Sequence, residues 1–163
     1  MLLLLLASLL GTRLAERAEA AAGLRSVRQL SRVATDDCSG FVRVIYGREG
    51  VDLSALPAAP GENGVTQLHR LAKSRGALRR RPRPGDLVFF RDTWRQGLSH
   101  VGIVERVRGS EVVFVHRVRS GIVRSRLDLR HPHARRRNDV LRRAPLALTG
   151  ELLAGFAAPD PLA

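Results

Sequence analysis

The stretch ATDDCSGFVRVIYG holds the only cysteine of the chain, Cys38. A lone thiol is most often a small buried hydrophobe. The alternative is a nucleophile, which needs an imidazole to take its proton and a local field that favours thiolate. Two of the five histidines stand in strand-like segments, His100 in SHVGIV and His116 in FVHR. One imidazole could act as base toward Cys38, and a further polar group on its other ring nitrogen would set its tautomer. The chemistry of such a trio is acyl transfer: sulfur attacks a carbonyl and the imidazole hands its proton to the leaving group. Taken alone, His116 reads more readily as a core histidine donating to a backbone carbonyl than as a member of the trio. A single cysteine excludes an internal disulfide and a cysteine-rich zinc site.

These residues must be positioned by particular elements. The apolar spacing of Leu24, Val27, Leu30 and Val33 predicts a helix over 24–34. The following TDD supplies capping side chains, and CSGFVRVIYG predicts a helix ending at Gly47 or Gly50. With Thr35 or Asp36 as N-cap, Cys38 falls in the first turn, where the helix dipole favours thiolate. The adjacent Asp37 opposes this unless its charge is turned into capping. Residues 51–65 are loop-like, and VTQLHRLAKSRG predicts an amphipathic helix closed by Gly76. Past the basic connector RRRPRP the period changes to that of strands: 87–90, 100–107, 111–118 and 122–129. DVLRR reads as a last strand and LTGELLAGF as a last helix. The architecture is α+β, N-terminal helices followed by an antiparallel sheet.

Register decides whether the two histidines can cooperate. A turn through Arg108-Gly109-Ser110 pairs His100 with Val118 and His116 with Gly102, which puts both imidazoles on one face as diagonal neighbours. Gly102 then leaves room beside the His116 ring, and Val101, Ile103, Val113 and Val115 form the opposite, core-facing side. A two-residue turn changes the parity and separates the histidines.

The chain has 163 residues, enough for one domain with a sizeable core. Lys+Arg number 28 against 15 Asp+Glu, a net charge of +13, which suits a polyanion: nucleic acid, anionic lipid or an anionic wall polymer. Residues 2–10 are apolar apart from Ser8, too short to span a bilayer and matching the apolar core of a signal peptide. Ala18 and Ala20 form a cleavage-like A-x-A pattern, so residues 1–20 are expected to be a leader and 21–163 one catalytic domain. Arg13, Glu16, Arg17 and Glu19 are unusual in such a segment, and a buried N-terminal helix is the alternative. No stable membrane anchor is expected.

DCSGFV at 37–42, RPGDLVFF at 83–90, SHVGIV at 99–104 and FVHR at 114–117 stand in the order and spacing of the NlpC-type cell-wall cysteine peptidases, within the papain-like superfamily. The chain resembles that family from about residue 30 to residue 130. The resemblance implies Cys38 as nucleophile at a helix start packed on an antiparallel sheet, His100 as base and His116 as the orienting third member. It implies peptidoglycan stem peptides as substrates, the bond between D-glutamate and the following diamino acid as the commonest target, and neither cofactor nor metal. Asp37 and Ser39 are implied to shape the substrate end of the helix. Trp94, in the loop RDTWRQG before His100, is a further candidate for lining the cleft if it is exposed, and equally for anchoring the loop. Two departures stand out. No aromatic residue precedes Cys38, where many members carry a tyrosine that stabilises the oxyanion, and the only tyrosine is Tyr46. The stretch between His100 and His116 is also longer than usual. The related CHAP amidases share the PGDLVFF…HVGIV half but place Glu or Asn where His116 stands.

The expected function is therefore that of an exported thiol hydrolase of peptidoglycan peptides, acting as a monomer in the periplasm or at the cell surface, with anionic wall polymers as further partners. The alternatives are a non-catalytic wall- or polyanion-binding protein on the same scaffold, and an amidase of CHAP type. Nucleic acid is not expected as a partner, since no recognition-helix or aromatic-stacking pattern accompanies the charge. His69 is expected to be solvated, and His131 and His133, flanking Pro132, to lack carboxylate or thiol partners.

Overall fold

Asp37 caps the helix that carries the thiol, one or two residues later than the spacing suggests. Its Oδ1 accepts from the Gly40 N–H at 2.7 Å and from Ser39 Oγ at 2.9 Å. The helix, α2, therefore runs Cys38–Gly47 with Cys38 as its first residue, and Phe41, Val42 and Ile45 are buried beneath it. The computed structural model describes residues 2–163, with side chains from Leu9 onward. The remaining helices are α1 (Leu2–Ala21), α3 (Gly64–Ser74) and the single turn α4 (Thr149–Leu152).

The strands are β1 (Leu78–Arg79), β2 (Leu87–Arg91), β3 (Leu98–Arg108), β4 (Glu111–Val118), β5 (Gly121–Asp128), β6 (Val140–Arg143), β7 (Leu146–Leu148) and β8 (Leu153–Ala157). Six form one sheet in the order β1-β8-β2-β3-β4-β5, every neighbouring pair antiparallel, and β6 and β7 form a separate hairpin. The architecture is α+β, as expected. Period-two alternation sends Leu87, Phe89, Val101, Ile103 and Val115 into one core with α1, α2 and α3. Val88, Phe90, Val104 and Phe114 enter a second core on the other face, with Ala147, Leu152 and Phe156. That double burial explains why LVFF reads as an unbroken apolar run.

Two sequence expectations are corrected. Residues 24–34 do not form a helix. Only Val27–Gln29 makes a 3-10 turn, closed by a Ser26/Gln29 capping box. The Val27 N–H is instead taken by Asp36 Oδ1 at 2.8 Å, and Val33 is 95% exposed, so the apolar stripe has no surface to bury against. LTGELLAGF is helical for one turn and then becomes β8, inserted between β1 and β2. Pairing β2's otherwise open edge outweighs the local helical pattern.

The expected leader, residues 1–20, lies in part outside the described side chains. From Leu9 on, α1 packs with the rest of the fold: Leu10, Leu14, Ala18 and Ala21 belong to the helix-side core. Gly11 faces Gly85, where a Cβ on Gly85 would meet the Gly11 carbonyl oxygen at 2.3 Å, so the backbones approach directly. On the outer side Arg13 and Arg17 both pair with Glu49, just beyond α2. We propose that α1 is a retained structural element. Leu14, fully buried, tests this. Leu14→Ala is expected to cost about 2–5 kcal/mol in urea unfolding, and a chain starting at Ala21 to lose more. A truncated chain of undiminished stability would remove α1 from the core.

Candidate active site

The parity of the two histidines is correct, but by a different route from the one expected. Arg108 pairs with Glu111, so the turn has only two residues, Gly109 and Ser110, with Gly109 at φ 62. Alone, that turn would put the imidazoles on opposite faces. The register shifts between Val104 and Arg106, where β3 bulges by one residue at Glu105. Beyond the bulge Val104 faces Phe114 and Ile103 faces Val115, which restores the pairing the site requires. Gly102 does sit beside His116, since a Cβ there would approach the His116 Cβ to 3.0 Å and the Val115 oxygen to 2.8 Å.

The result is a direct contact: His100 Nε2 and His116 Nδ1 are 2.7 Å apart. Both rings are buried, at 6% and 1% exposure. Phe90 flanks His100 and Phe114 flanks His116, with ring centroids 6.0 and 4.7 Å apart. With Nε2 of His100 engaged, Nδ1 is the one ring nitrogen left to receive a proton from a thiol. His116 Nε2 in turn lies 2.8 Å from Ser125 Oγ on β5.

Cys38, His100 and His116 open onto one cleft of about 1130 Å³, bordered also by Asp37, Trp94 and Ser125. Trp94 stands at the border of the cleft and is also tied to its own loop. It is 68% exposed at the rim, while its indole N–H donates to the Ser99 carbonyl at 2.6 Å. Ser99 is an extra residue between Leu98 and His100 in the β2–β3 pairing, and its hydroxyl also accepts from the Thr93 N–H. Ser39 is not at the cleft surface. It is buried and bonded to Asp37. Asp36 anchors the entry to α2, accepting both Val27 N–H and a two-pronged Arg117 contact at 2.8 and 3.0 Å. These partners hold its carboxyl well below the usual range.

Burial dominates the electrostatics. It pushes the Cys38 thiol up to about 11, with the Asp37 charge adding to the effect, while the N–H groups of Val101, Ser39 and Cys38 itself oppose it. Burial pushes His100 down to about 4 and lowers His116 further below its ordinary value, assisted by His100. Burial thus works against both the thiolate and the imidazolium in this cleft. The dipole at the start of α2 does not outweigh desolvation.

The other histidines have partners that sequence reasoning did not supply. His69 is half-buried and edge-on to Phe89, with centroids 5.2 Å apart. His131 contacts Asp128 at 3.3 Å and His133 contacts Glu151 at 3.0 Å. Among the described residues no group of three or more His, Cys, Asp or Glu side chains could hold a metal. Tyr46 is fully buried and donates to the Gly85 carbonyl at 2.6 Å, away from any oxyanion role. The contribution of Ser125 went unseen, although its alternation with Val123 on β5 carried the signal.

A cysteine opening a helix that packs on an antiparallel sheet bearing a coupled imidazole pair is the arrangement of the papain-like class. Within that class the chain belongs to the NlpC/P60 family, whose model matches residues 27–139. It is 36% identical over 69 residues to a "Probable endopeptidase p60" of Listeria innocua serovar 6a, covering 42% of this chain and 12% of that protein. It is 37% identical over 70 residues to a "Probable endopeptidase p60" of Listeria grayi, covering 43% and 11%. The match thus spans about a tenth of the length of these relatives. No solved structure matches the chain.

The Asp37 charge can be separated from its cap. Asp37→Asn keeps an oxygen for the Gly40 N–H and removes the negative charge beside the sulfur. Thiolate then forms at lower pH, so the midpoint of iodoacetamide alkylation of Cys38 against pH moves down from its wild-type position. An unchanged midpoint would mean that burial alone sets the thiol.

Proposed function

We propose that the protein is a thiol hydrolase of amide bonds in peptidoglycan stem peptides. The observation that carries this reading is the His100–His116 hydrogen bond beside the cleft that Cys38 also borders. As the sulfur attacks the substrate carbonyl, its proton passes to His100 Nδ1, and His116 stabilises the imidazolium through His100 Nε2–H. The Cys38 N–H, a first-turn donor of α2 with no intrahelical acceptor, is the backbone group available to the developing oxyanion. Collapse breaks the C–N bond, His100 gives its proton to the leaving amine, and a thioester remains. Water then attacks the thioester and gives a proton to His100, and the sulfur leaves and regains that proton. Incubation with defined muropeptides followed by mass spectrometry is expected to show one new amine and one new carboxyl terminus. Cys38→Ala is expected to give no product, and equal product from both proteins would sink the mechanism.

The finer reading is an endopeptidase for the D-glutamyl–diamino acid bond, working outside the cell membrane. It is supported by arginines on two walls of the cleft, Arg119 in the turn after β4 and Arg142 and Arg143 from β6. They suit a peptide that carries free carboxylates on both sides of the scissile bond. The net charge of +13 suits anionic wall polymers as a second partner, and the site needs no second copy of the chain. Arg119→Ala and Arg143→Ala are each expected to raise KM for a carboxylate-bearing muropeptide by a few-fold, corresponding to about 0.2–1 kcal/mol for exposed charges. A matched amidated peptide should respond less. Equal responses would remove charge recognition by these walls.

The high-lying thiol favours one second reading, a non-catalytic wall-binding protein on the same scaffold. Under it, wild type and Cys38→Ala bind peptidoglycan alike and neither yields product.

A further inference from the structure

We propose that Ser125 is a positioning residue for the site, fixing the tautomer of His116 and through it the direction of the His100–His116 hydrogen bond. His100 can accept the thiol proton only if Nδ1 is bare, so Nε2 must carry hydrogen and donate to His116 Nδ1. His116 must then carry its own hydrogen on Nε2. At 1% exposure that N–H requires a partner within the protein, and Ser125 Oγ stands 2.8 Å away. The opposite chain, in which His116 Nδ1–H donates to His100 Nε2, leaves hydrogen on His100 Nδ1 and cannot take a proton from sulfur.

Removing the hydroxyl does not affect the two chains equally. In the productive one a buried N–H loses its acceptor. In the reversed one a bare ring nitrogen loses a donor, which is the better tolerated defect. Loss of Ser125 therefore tilts His116 toward the unproductive tautomer while every group that touches substrate stays in place. The backbone builds this contact by simple alternation. His116 pairs with Val123 and Phe114 with Ser125, so Ser125 is the diagonal neighbour of His116 on the same face. Ser125 is half-buried at the edge of the cleft, where its own hydroxyl hydrogen can turn to water. Being neutral, it accepts from His116 without adding a charge to the buried pair.

The kinetic part of the test rests on the thiol-hydrolase reading, and the spectroscopic part does not. Ser125→Thr keeps the hydroxyl, and Ser125→Val has nearly the same shape without it. Both β-branched residues suit a strand, and Ser125→Ala removes the hydroxyl without adding bulk should Val disturb packing. Nitrogen-15 spectra of the histidine rings are expected to show His116 protonated at Nε2 alone in wild type and Ser125→Thr, and a mixture of tautomers in Ser125→Val and Ser125→Ala. On a muropeptide substrate kcat is expected to fall about tenfold in the Val and Ala variants, the weight of one hydrogen bond, with KM unchanged and with Thr near wild type. An unaltered His116 spectrum in Val and Ala overturns the proposal, as does a Thr variant whose spectrum matches Val. If wild type turns over no substrate, the hydrolase reading fails, and the ring spectra decide the role of Ser125 by the same criterion.

Discussion

The site depends on one extra residue in β3. A two-residue turn and a regular ladder would send His100 to the helix side of the sheet while His116 remained on the other. The bulge at Glu105 reverses that parity between Val104 and Arg106, and it is held in place by charge. The Glu105 carboxylate is nearly buried and accepts from Arg124 Nε on β5 at 2.6 Å. Arg124 also lies 3.9 Å from Glu19 on α1. A buried carboxylate without its partner would be costly, so the ion pair and the bulge support each other. The register that brings two imidazoles within 2.7 Å thus rests on the bulge, braced from β5, together with the turn that joins the two strands.

Given that register, burial sets the chemistry. The aromatic flanks of Phe90 and Phe114 and the tight fit at Gly102 exclude water from the pair, and exclusion of water penalises imidazolium and thiolate alike. The helix start and the N–H groups around the sulfur offset only part of this. Under the proposed hydrolase mechanism, transfer of the thiol proton then belongs with the attack on a substrate carbonyl, when charge develops on groups already oriented to receive it. A rigid chain from His100 through His116 to Ser125 suits that requirement. It supplies polarity along a fixed direction without introducing a net charge that burial would again penalise.

Much of this was legible in the sequence, and the reasons differ from element to element. Cys38 at a helix start could be read because capping is local, although the choice among Thr35, Asp36 and Asp37 turned on which side chain reaches the Gly40 N–H. The strands could be read because their alternation is strong and their ends are marked by glycine. The shared face of His100 and His116 followed from pairing arithmetic that assumed an odd turn. The correct result came from an even turn combined with a bulge, which no local pattern announces because a bulge is a property of two strands. For the same reason β8 was hidden inside a helical pattern, as only the open edge of β2 makes extension of Leu153–Ala157 favourable. The 24–34 stripe misled in the opposite sense, since periodicity promises a helix only where a partner surface exists.

The N-terminal segment shows how composition and geometry can point in different directions. Averaged over its length, a leucine-rich stretch ending in small residues matches an export leader. Resolved by face, Leu10, Leu14, Ala18 and Ala21 recur at intervals of four, four and three, the spacing of a single buried stripe. Arg13 and Arg17 are likewise four apart on the other side, aimed at the one carboxylate of Glu49. The inner side of α1 meets Gly85 and the helix-side core, and the outer side stays in water. Arg13 and Arg17, unusual in an export leader, are the residues that tie the outer side of α1 to Glu49.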